Sequence, residues 1–507
     1  MDSEKEKINV VWFKRDLRFT DHEPLFFAQK SGIPLLLIYI FEPSLIAYDD
    51  SDVRHWRFVY ESLKEMNEKL KSLNAEIFIF HNEAKTVYET LIASFSINTV
   101  YSSQEIGNGL SYERDKTMKR LFNSTNIKWN EYQTNGIIRG LKSRSDWGKL
   151  WESQMTAMPK IIDEENWNII QLEDKIFDQI KGDKLHDDFT FRNKKFQEGG
   201  ESLAWRYLND FIKIRHVNYS KHISKPLLSR KGCSRLSPYL TYGNISMRMV
   251  YQYTNQHYTN SLNKRALSNF ISRLHWHCHF IQKFEDESRY EFENVNKAYD
   301  GLVKTKNEDY IKAWQMGQTG IPIVDACMRC LAETGYINFR MRAMVVSFFV
   351  FNLWQDWRDL HFLARQFLDY EPGIHYPQLQ MQSGTTGINT IRIYNPIKNS
   401  EDHDADGSFI KMWLPELKNI PANLIHEPHK LSIIEQKLYE CEIGIHYPFP
   451  IADVEESRKS ASSIVWSFRK SADVQKEGKR ILLKHVSTAK TVRTKKTSTN
   501  SNQISLL

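Results

Sequence analysis

The segments WQMGQTGIPIVD (residues 314–325) and RMRAMVVSF (residues 340–348) contain the pattern that decides the fold of this chain. Apolar residues recur in both with helical spacing, and they predict helices over Ile323–Glu333 and Arg340–Trp357. From Trp357 to the segment IRIYN (residues 391–395) the sequence is rich in Gly and Pro and has few apolar side chains. We therefore predict a long loop there, and a long loop inside a compact domain is usually functional.

The helical pattern extends on both sides of these segments, from Gly199 to about residue 480. It predicts further helices at Glu201–Arg215, Ser246–Asn255, Lys264–Phe284 and Asn307–Gln315. Residues 134–198 are polar and irregular, and we interpret them as a connector between two domains. Residues 481–507 form a basic tail rich in Ser, Thr and Lys, which is typical of disorder.

The first 133 residues have a different pattern, in which apolar strands alternate with amphipathic helices. The predicted strands are Ile8–Phe13, Pro34–Phe41, Ala75–His81, Thr99–Ser102 and Ile127–Tyr132, and the predicted helices are Glu23–Lys30, His55–Leu73, Glu83–Ser94 and Tyr112–Asn123. This alternation predicts a parallel sheet with helices on both faces. The predicted fold class is therefore an N-terminal α/β domain with a Rossmann-like parallel sheet, followed by a large all-helical domain.

Composition excludes several classes of protein. The chain has 507 residues, of which 41% are hydrophobic and 26% charged, as is ordinary for a soluble protein of two or three domains. No apolar run is long enough to span a membrane, and no signal peptide begins the chain. Five cysteines form no disulfide framework. We expect a monomer in the cytoplasm, or in the nucleus of a eukaryote; the net charge of +7 permits nucleic-acid binding without requiring it.

Two local patterns are candidate sites. The turn GCSRLSP (residues 232–238) can hold a phosphate through backbone N–H groups, hydroxyls and Arg235, although Ser and Pro also begin ordinary helices. Arg340 and Arg342 point about 200° apart on a helix, so that one can pair with Asp369 while the other faces an anionic surface. A purely structural ion pair is the alternative for Arg342 and Asp369.

No metal site is predicted. Of the three histidines in RLHWHCH (residues 273–279), only His275 and His279 share a helix face, and no glutamate completes a zinc motif. Cys327 and Cys330 have no second cysteine pair beside them, and we interpret them as core residues.

These motifs together resemble the photolyase/cryptochrome family over about 470 residues. VVWFKRDLRFTDHEPL (residues 10–25) looks like its N-terminal signature, and GCSRLSPYLTYGNIS (232–246) looks like its flavin phosphate-binding turn. WQMGQTGIPIVD, RMRAMVVSF and GSFIKMWLPEL (407–417) resemble its helical core. The resemblance implies an N-terminal antenna domain, a helical domain that holds FAD, and blue-light-driven electron transfer from reduced flavin to a pyrimidine dimer in DNA.

The resemblance also implies functional residues. Those that match family positions for FAD are Tyr219, Cys233, Ser234, Arg235, Leu236, Ser237, His277, Arg342, Asp369, Tyr370 and Glu371. Cys233 stands where Thr is frequent, and His277 stands where many members have Arg. Trp276, Arg340 and Met344 match positions that meet the lesion in DNA, where an aromatic wall and a cation help to hold an extracted base.

The chain departs from the family in its electron route, which usually has three tryptophans. Trp357 matches the middle one, Lys304 falls near the outer one, and the flavin-proximal one is missing, which places the chain in an atypical branch. Trp354 and Tyr376 are candidates for another route. His375 or Tyr376 stands near the position of the family's flavin-facing Asn.

The leading interpretation is therefore a DNA photolyase, a carbon–carbon lyase that repairs pyrimidine dimers, and damaged DNA is its expected partner. The alternative is a cryptochrome-type blue-light photoreceptor without repair activity, and a flavin-free DNA-binding relative is a third hypothesis. The cofactor implied is FAD, with an antenna chromophore of folate or deazaflavin type as an optional second one. Glu105 and Asn108 lie where some members contact a folate antenna.

Overall fold

A five-stranded parallel sheet forms the centre of the N-terminal part of the protein. The computed structural model describes residues 5–163 and 167–485. The strands are β1 (Lys7–Phe13), β2 (Leu35–Ile40), β3 (Phe78–Phe80), β4 (Ser96–Ser103) and β5 (Lys128–Tyr132). Their order in the sheet is β3-β2-β1-β4-β5, so the connection direction reverses between β1 and β4. All five predicted strands are confirmed, with ends that differ by up to three residues.

Helices cover both faces of this sheet, as the alternating pattern predicts. They are α1 (Glu23–Lys30), α2 (Pro43–Ile46), α3 (Val53–Leu70), α4 (Ala84–Ser94) and α5 (Gly109–Ser124). Strands β1 and β2 are buried almost throughout, which explains their unbroken apolar runs. One face packs on α4 and α5 in a core of its own, whereas the other face joins a continuous core with the helical domain.

The connector is less irregular than predicted. It contains α6 (Trp147–Thr156), α7 (Asp174–Ile180) and α8 (Asp187–Thr190). Single bridges tie it to the sheet at Leu35 with Ile169 and at His81 with Gly182. It therefore follows the edge of the α/β domain, in line with the predicted wrapping segment.

The remainder of the chain is helical. Its α-helices are α9 (Glu201–Lys213), α10 (Tyr219–His222), α11 (Pro226–Gly232), α12 (Ser237–Thr241), α13 (Met247–Gln256), α14 (Lys264–Asp286), α15 (Glu308–Met316), α16 (Pro322–Thr334), α17 (Phe339–Ser347), α18 (His361–Gln366), α19 (Pro372–Gln382), α20 (Pro396–His403), α21 (Ser408–Trp413), α22 (Ile433–Leu438), α23 (Val454–Arg469) and α24 (Ala472–His485). The predicted helices of this region match α9 and α13–α16 closely.

The single predicted helix over Arg340–Trp357 is wrong. Helix α17 ends at Ser347, a π turn follows over Phe348–Asn352, and a 3₁₀ turn begins at Trp357. Trp354 adopts a left-handed backbone with φ of 54°, which stops the helix. The ammonium of Lys304 donates to the carbonyls of Val350 (2.6 Å) and Gln355 (3.2 Å). Carbonyls that lose their helical partners at the break are thereby hydrogen-bonded.

The predicted long loop after Trp357 is also wrong, because α18 and α19 lie within it. Gly and Pro suggested a loop, yet Pro372 stands in the first turn of α19, where proline is tolerated. Gly373 allows α19 to cross α14 closely, since a Cβ there would lie 2.9 Å from the Cα of Ile281. Close packing against α14 therefore overrides the weak helical preference of this segment.

The loop after β1 fastens the two domains together. Leu17 N–H donates to the carbonyl of Tyr242 (3.1 Å), and Glu201 accepts from the amides of Phe19 and Thr20 (both 3.1 Å). Gly243 lies so close to this loop that a Cβ would meet the Arg15 carbonyl. The N-terminal signature is thus a docking loop whose backbone meets the helical domain.

The predicted boundary at residue 480 falls inside α24, which continues to His485. The cause is packing: the His485 ring is buried, and its Nε2 lies 2.7 Å from Glu287. Residues 486–507 of the predicted tail lie outside the described residues. Within the described ranges, no helix has the length and apolarity to cross a membrane.

The crossing of α14 and α19 yields a stability prediction. Gly373→Ala places a Cβ against backbone and should cost about 1–3 kcal/mol, which lowers the midpoint of thermal unfolding measured by circular dichroism. Gly148→Ala on exposed α6 is the matched control, because its Cβ meets nothing within 4 Å. The control should be neutral or slightly stabilising. An unchanged midpoint for Gly373→Ala contradicts the close crossing.

Candidate functional site

The turn between α11 and α12 (residues 233–237, the α12 turn) is held in a rigid, unusual conformation. Arg235 has a left-handed backbone with φ of 61°, which is costly for a residue with a side chain. The guanidinium of Arg215 donates to the carbonyls of Cys233 and Ser234, and Gln197 exchanges hydrogen bonds with Arg235 (2.6 and 3.0 Å). Arg215 and Gln197 therefore donate to the carbonyls of the turn, and these bonds hold the half-buried residues of the predicted phosphate turn in place.

A buried ion pair lies beside this turn. Arg342 Nη2 is 2.8–2.9 Å from both carboxylate oxygens of Asp369, as the sequence predicts. Ser237 also donates to Asp369. Burial alone would raise the pKa of Asp369, but Arg342 and Ser237 hold that pKa below its usual range. The site therefore keeps a fixed negative charge next to the α12 turn.

Two residues later, Glu371 lies near His277. The carboxylate is 3.7 Å from His277 Nε2 and accepts a hydrogen bond of 3.4 Å from Thr241. Burial raises the pKa of Glu371 to about 7 and lowers the pKa of His277 to about 4. Glu371 thus gains and loses a proton near neutral pH, while His277 stays a neutral ring.

Buried nitrogens without partners mark this cluster. Arg235 Nε, His277 Nε2 and His375 Nε2 have no hydrogen-bond partner among the described residues. A buried polar atom left unpaired costs about 1–3 kcal/mol, so three in one neighbourhood point to a ligand that would supply the partners. Tyr219, another predicted member, is buried beside Cys233, whose pKa burial raises to about 12.

Tyr370 and Tyr376 form a hydrogen-bonded pair at the domain interface. The Tyr370 hydroxyl lies 2.5 Å from Asp50 Oδ2 and 3.1 Å from the Tyr376 hydroxyl. The ring of His375 contacts both tyrosines at 5.2 Å. The Tyr370 side chain therefore reaches the α/β domain, although its neighbours Asp369 and Glu371 belong to the buried cluster.

The two candidate tryptophans stand in different surroundings. Trp357 is buried, and its indole N–H donates to Asn294 Oδ1 (2.8 Å). Trp354 is half-buried, and Lys304 Nζ lies 4.6 Å from its ring centre. Burial lowers the pKa of Lys304 to about 7. While protonated, that ammonium opposes loss of an electron from Trp354, which argues against Trp354 as a donor.

The three residues predicted to meet DNA are not equally accessible. Trp276 is 40% exposed, and Arg340 is half-buried with its Nε unpaired among the described residues. Met344 is wholly buried in α17, and its contact with the lesion stays a prediction.

A second site is a cleft at the carboxyl ends of the strands, where β1 and β4 diverge. Its empty space, open solvent at the mouth included, is about 750 Å³, and its lining includes Arg15, Glu105, Asn108, Tyr242 and Tyr370. Arg114 in its wall is paired with Glu42 and Glu105. Ligands of doubly wound sheets bind at this switch point, and the predicted antenna residues Glu105 and Asn108 both lie there.

Sequence reasoning missed several supporting residues. Arg215 and Gln197 hold the α12 turn, and the Tyr336 ring lies 3.7 Å from the Arg235 guanidinium carbon. Asp50 accepts from Tyr370 across 320 residues of chain. None belongs to a local motif, and only the tertiary fold brings them to the site.

Comparison with known proteins fits this architecture. A family model described as "DNA photolyase" matches residues 9–143, and one described as "FAD binding domain of DNA photolyase" matches residues 270–467. Together they cover more than half of the chain. The chain belongs to the photolyase/cryptochrome family. The predicted fold class is thereby confirmed, and the chain carries that family's FAD-binding domain.

Relatives of both functional kinds resemble this photolyase/cryptochrome chain. The deoxyribodipyrimidine photo-lyase of Alkalihalophilus pseudofirmus is 26% identical over 487 residues, which cover 90% of this chain and 98% of the relative. The cryptochrome DASH of Synechocystis is also 26% identical and covers 90% of this chain and 97% of the relative. A crystal structure of Synechocystis cryptochrome has the same fold, with a TM-score of 0.82 at 23% identity over 92% of this chain and 100% of that one.

The residues of the buried cluster fit FAD. The α12 turn offers the hydroxyl of Ser234 and the cation of Arg235, donors suited to a pyrophosphate, while the Ser237 hydroxyl is held by Asp369. The unpaired nitrogens of His277 and His375 would suit a ring with polar edges. The assignment of single residues to parts of FAD remains a prediction.

The Arg342–Asp369 pair yields a pH-dependent prediction. At neutral pH, Asp369→Asn should lower stability by about 1–3 kcal/mol, since one partner of a largely buried pair is lost. A depressed carboxyl pKa contributes stability above its unfolded value of about 4 and loses it as the pH falls further. The difference from the unaltered protein in urea unfolding should therefore shrink as the pH falls from about 4 through the lowered pKa of Asp369.

The exposed Asp183→Asn is the control for this experiment and should leave stability unchanged at every pH. A difference for Asp369→Asn that is constant with pH contradicts an ionised, paired Asp369.

Proposed function

We propose that this protein is a blue-light-driven, FAD-dependent DNA photolyase that repairs pyrimidine dimers. The observation that carries the proposal is the cluster of fixed charges and unpaired buried nitrogens around Asp369, next to the α12 turn. When bound and reduced, FAD supplies an electron under blue light that splits the bonds joining the two pyrimidines and then returns to the cofactor. The protein's own residues would hold and orient the cofactor and the lesion and would shield them from solvent.

The charged groups have separate tasks in this proposal. Arg235 would offset the negative charge of the FAD pyrophosphate, and the Ser234 hydroxyl would donate a hydrogen bond to it. The Arg342–Asp369 pair would fix the position of α17 against the segment that precedes α19. Glu371 would hold or release a proton at its carboxylate near the ring, since the pKa of this buried group is about 7.

The lesion would bind beside Trp276 and Arg340. An exposed indole offers a stacking surface for a base taken out of the helix, and a guanidinium offers a cation to the adjacent phosphate. Arg340 is the more accessible of the two predicted residues of α17, since Met344 is buried.

The direct test is loss of thymine dimers from an irradiated oligonucleotide under blue light, with the flavin chemically reduced beforehand. We expect dimer loss in light and none in darkness. Trp276→Ala should slow repair at limiting DNA about fivefold or more, as expected for loss of about 1–3 kcal/mol of stacking. FAD content, read from visible absorbance, should be unchanged.

Trp466→Ala is the matched control, because this tryptophan is similarly exposed at 41% and belongs to α23. It should repair at the unaltered rate. Full FAD content with no dimer loss would refute the repair function and favour the photoreceptor alternative, which the relation to cryptochrome DASH also suggests.

A further inference from the structure

A chain of hydrogen-bonded side chains runs from beside His375 of the cofactor cluster, whose ring centre is 5.2 Å from that of Tyr376, into the cleft between the domains. It begins at Tyr376 in α19, continues through Tyr370, and ends at Asp50 in the loop before α3. Tyr376 and Tyr370 are fully buried or nearly so. Buried hydroxyls joined in a row to a carboxylate form a path along which a proton can move.

The direction of proton transfer along this path follows from which hydroxyl donates each hydrogen bond. Asp50 Oδ2 accepts both the Tyr370 hydroxyl (2.5 Å) and the amide of Asn108 (3.0 Å), so this oxygen is an acceptor in both bonds. Burial raises the pKa of Asp50, which makes its carboxylate a better proton acceptor than an exposed one. Tyr370 has a single hydroxyl proton and gives it to Asp50. The hydrogen of the 3.1 Å contact therefore comes from Tyr376, which donates to Tyr370.

The far end of the path is open to proton exchange. Asp50 lines the cleft at the carboxyl ends of the strands, and this cleft is partly open to solvent. Tyr376 also lies 3.4 Å from His361 Nδ1, a longer and weaker contact. The shorter bonds make the Tyr370–Asp50 branch the main one.

We propose that Tyr376 is the residue that reduces photoexcited oxidised flavin in this protein, and that Tyr370 and Asp50 accept its proton. This inference depends on FAD binding as proposed above. Tyr376 loses one electron to the flavin, its phenolic proton passes to the Tyr370 oxygen, and the Tyr370 proton passes to the Asp50 carboxylate. The products are a neutral Tyr376 phenoxyl radical, a protonated Asp50 and flavin reduced by one electron.

The geometry explains why a tyrosine can take this role here. A phenol is hard to oxidise unless its proton leaves at the same time, and Tyr376 has an acceptor within hydrogen-bond distance. Trp354, in contrast, has Lys304 Nζ over its ring, and while protonated that group disfavours a positive charge on the indole.

The test is transient absorption after a light flash on the FAD-loaded, oxidised full-length protein. We expect the sharp absorption band of a neutral tyrosyl radical, formed more slowly in D₂O than in H₂O. Tyr376→Phe should abolish the band, and Tyr370→Phe and Asp50→Asn should slow its formation. Freeze-trapped samples should give the corresponding tyrosyl signal in electron paramagnetic resonance.

Tyr88→Phe is the matched control, because Tyr88 is a buried tyrosine of the α/β core whose hydroxyl has no partner among the described residues. It should keep the full signal, and so should His361→Gln. A full tyrosyl signal in Tyr376→Phe, or a loss in His361→Gln that exceeds the loss in Asp50→Asn, overturns the proposal.

Failure here is distinct from failure of the proposed repair function. Dimer repair with chemically reduced flavin needs no tyrosine donor, so repair and the tyrosyl radical are measured separately on the unaltered protein. Retained repair with no tyrosyl radical in the unaltered protein refutes the relay alone. A protein that takes up no FAD contradicts both proposals.

Discussion

The ion pair of Arg342 and Asp369 is the constraint on which the arrangement of the site depends. It joins α17 to the short segment before α19, and Ser237 connects the same carboxylate to the α12 turn. Three helices distant in sequence are thereby set relative to one another around one buried charge. Because Asp369 is fixed, the next two side chains lie in different places: Tyr370 reaches Asp50 of the α/β domain, and Glu371 lies near His277.

Residues next to this ion pair also connect the two domains. Tyr370 extends from the charged cluster to Asp50 of the α/β domain, while the loop after β1 binds the backbone near Tyr242. The cleft at the strand ends shares Tyr370 and Arg15 with this contact region. A chromophore in that cleft would therefore lie in contact with a residue next to the proposed flavin site.

Sequence periodicity was sufficient to predict the sheet, α9 and α13–α16, because burial of their apolar residues decides the structure of those elements. It failed where tertiary contacts decide the outcome: Lys304 supports the break after α17, and Gly373 permits α19 to pack on α14. The pairing of Arg342 with Asp369 followed from residue types at matching positions. Asp50, Arg215 and Gln197 carried no local signal, since only the fold brings them to the site.

A crystal structure of the FAD-loaded protein tests most directly whether FAD binds at the Arg342–Asp369 cluster. We expect the pyrophosphate at the Ser234–Ser237 turn and a ring edge within hydrogen-bond distance of His277 or His375. Density for FAD only in the cleft lined by Arg15 and Glu105, with the nitrogens of Arg235 and His277 still unpaired, would contradict binding at that cluster.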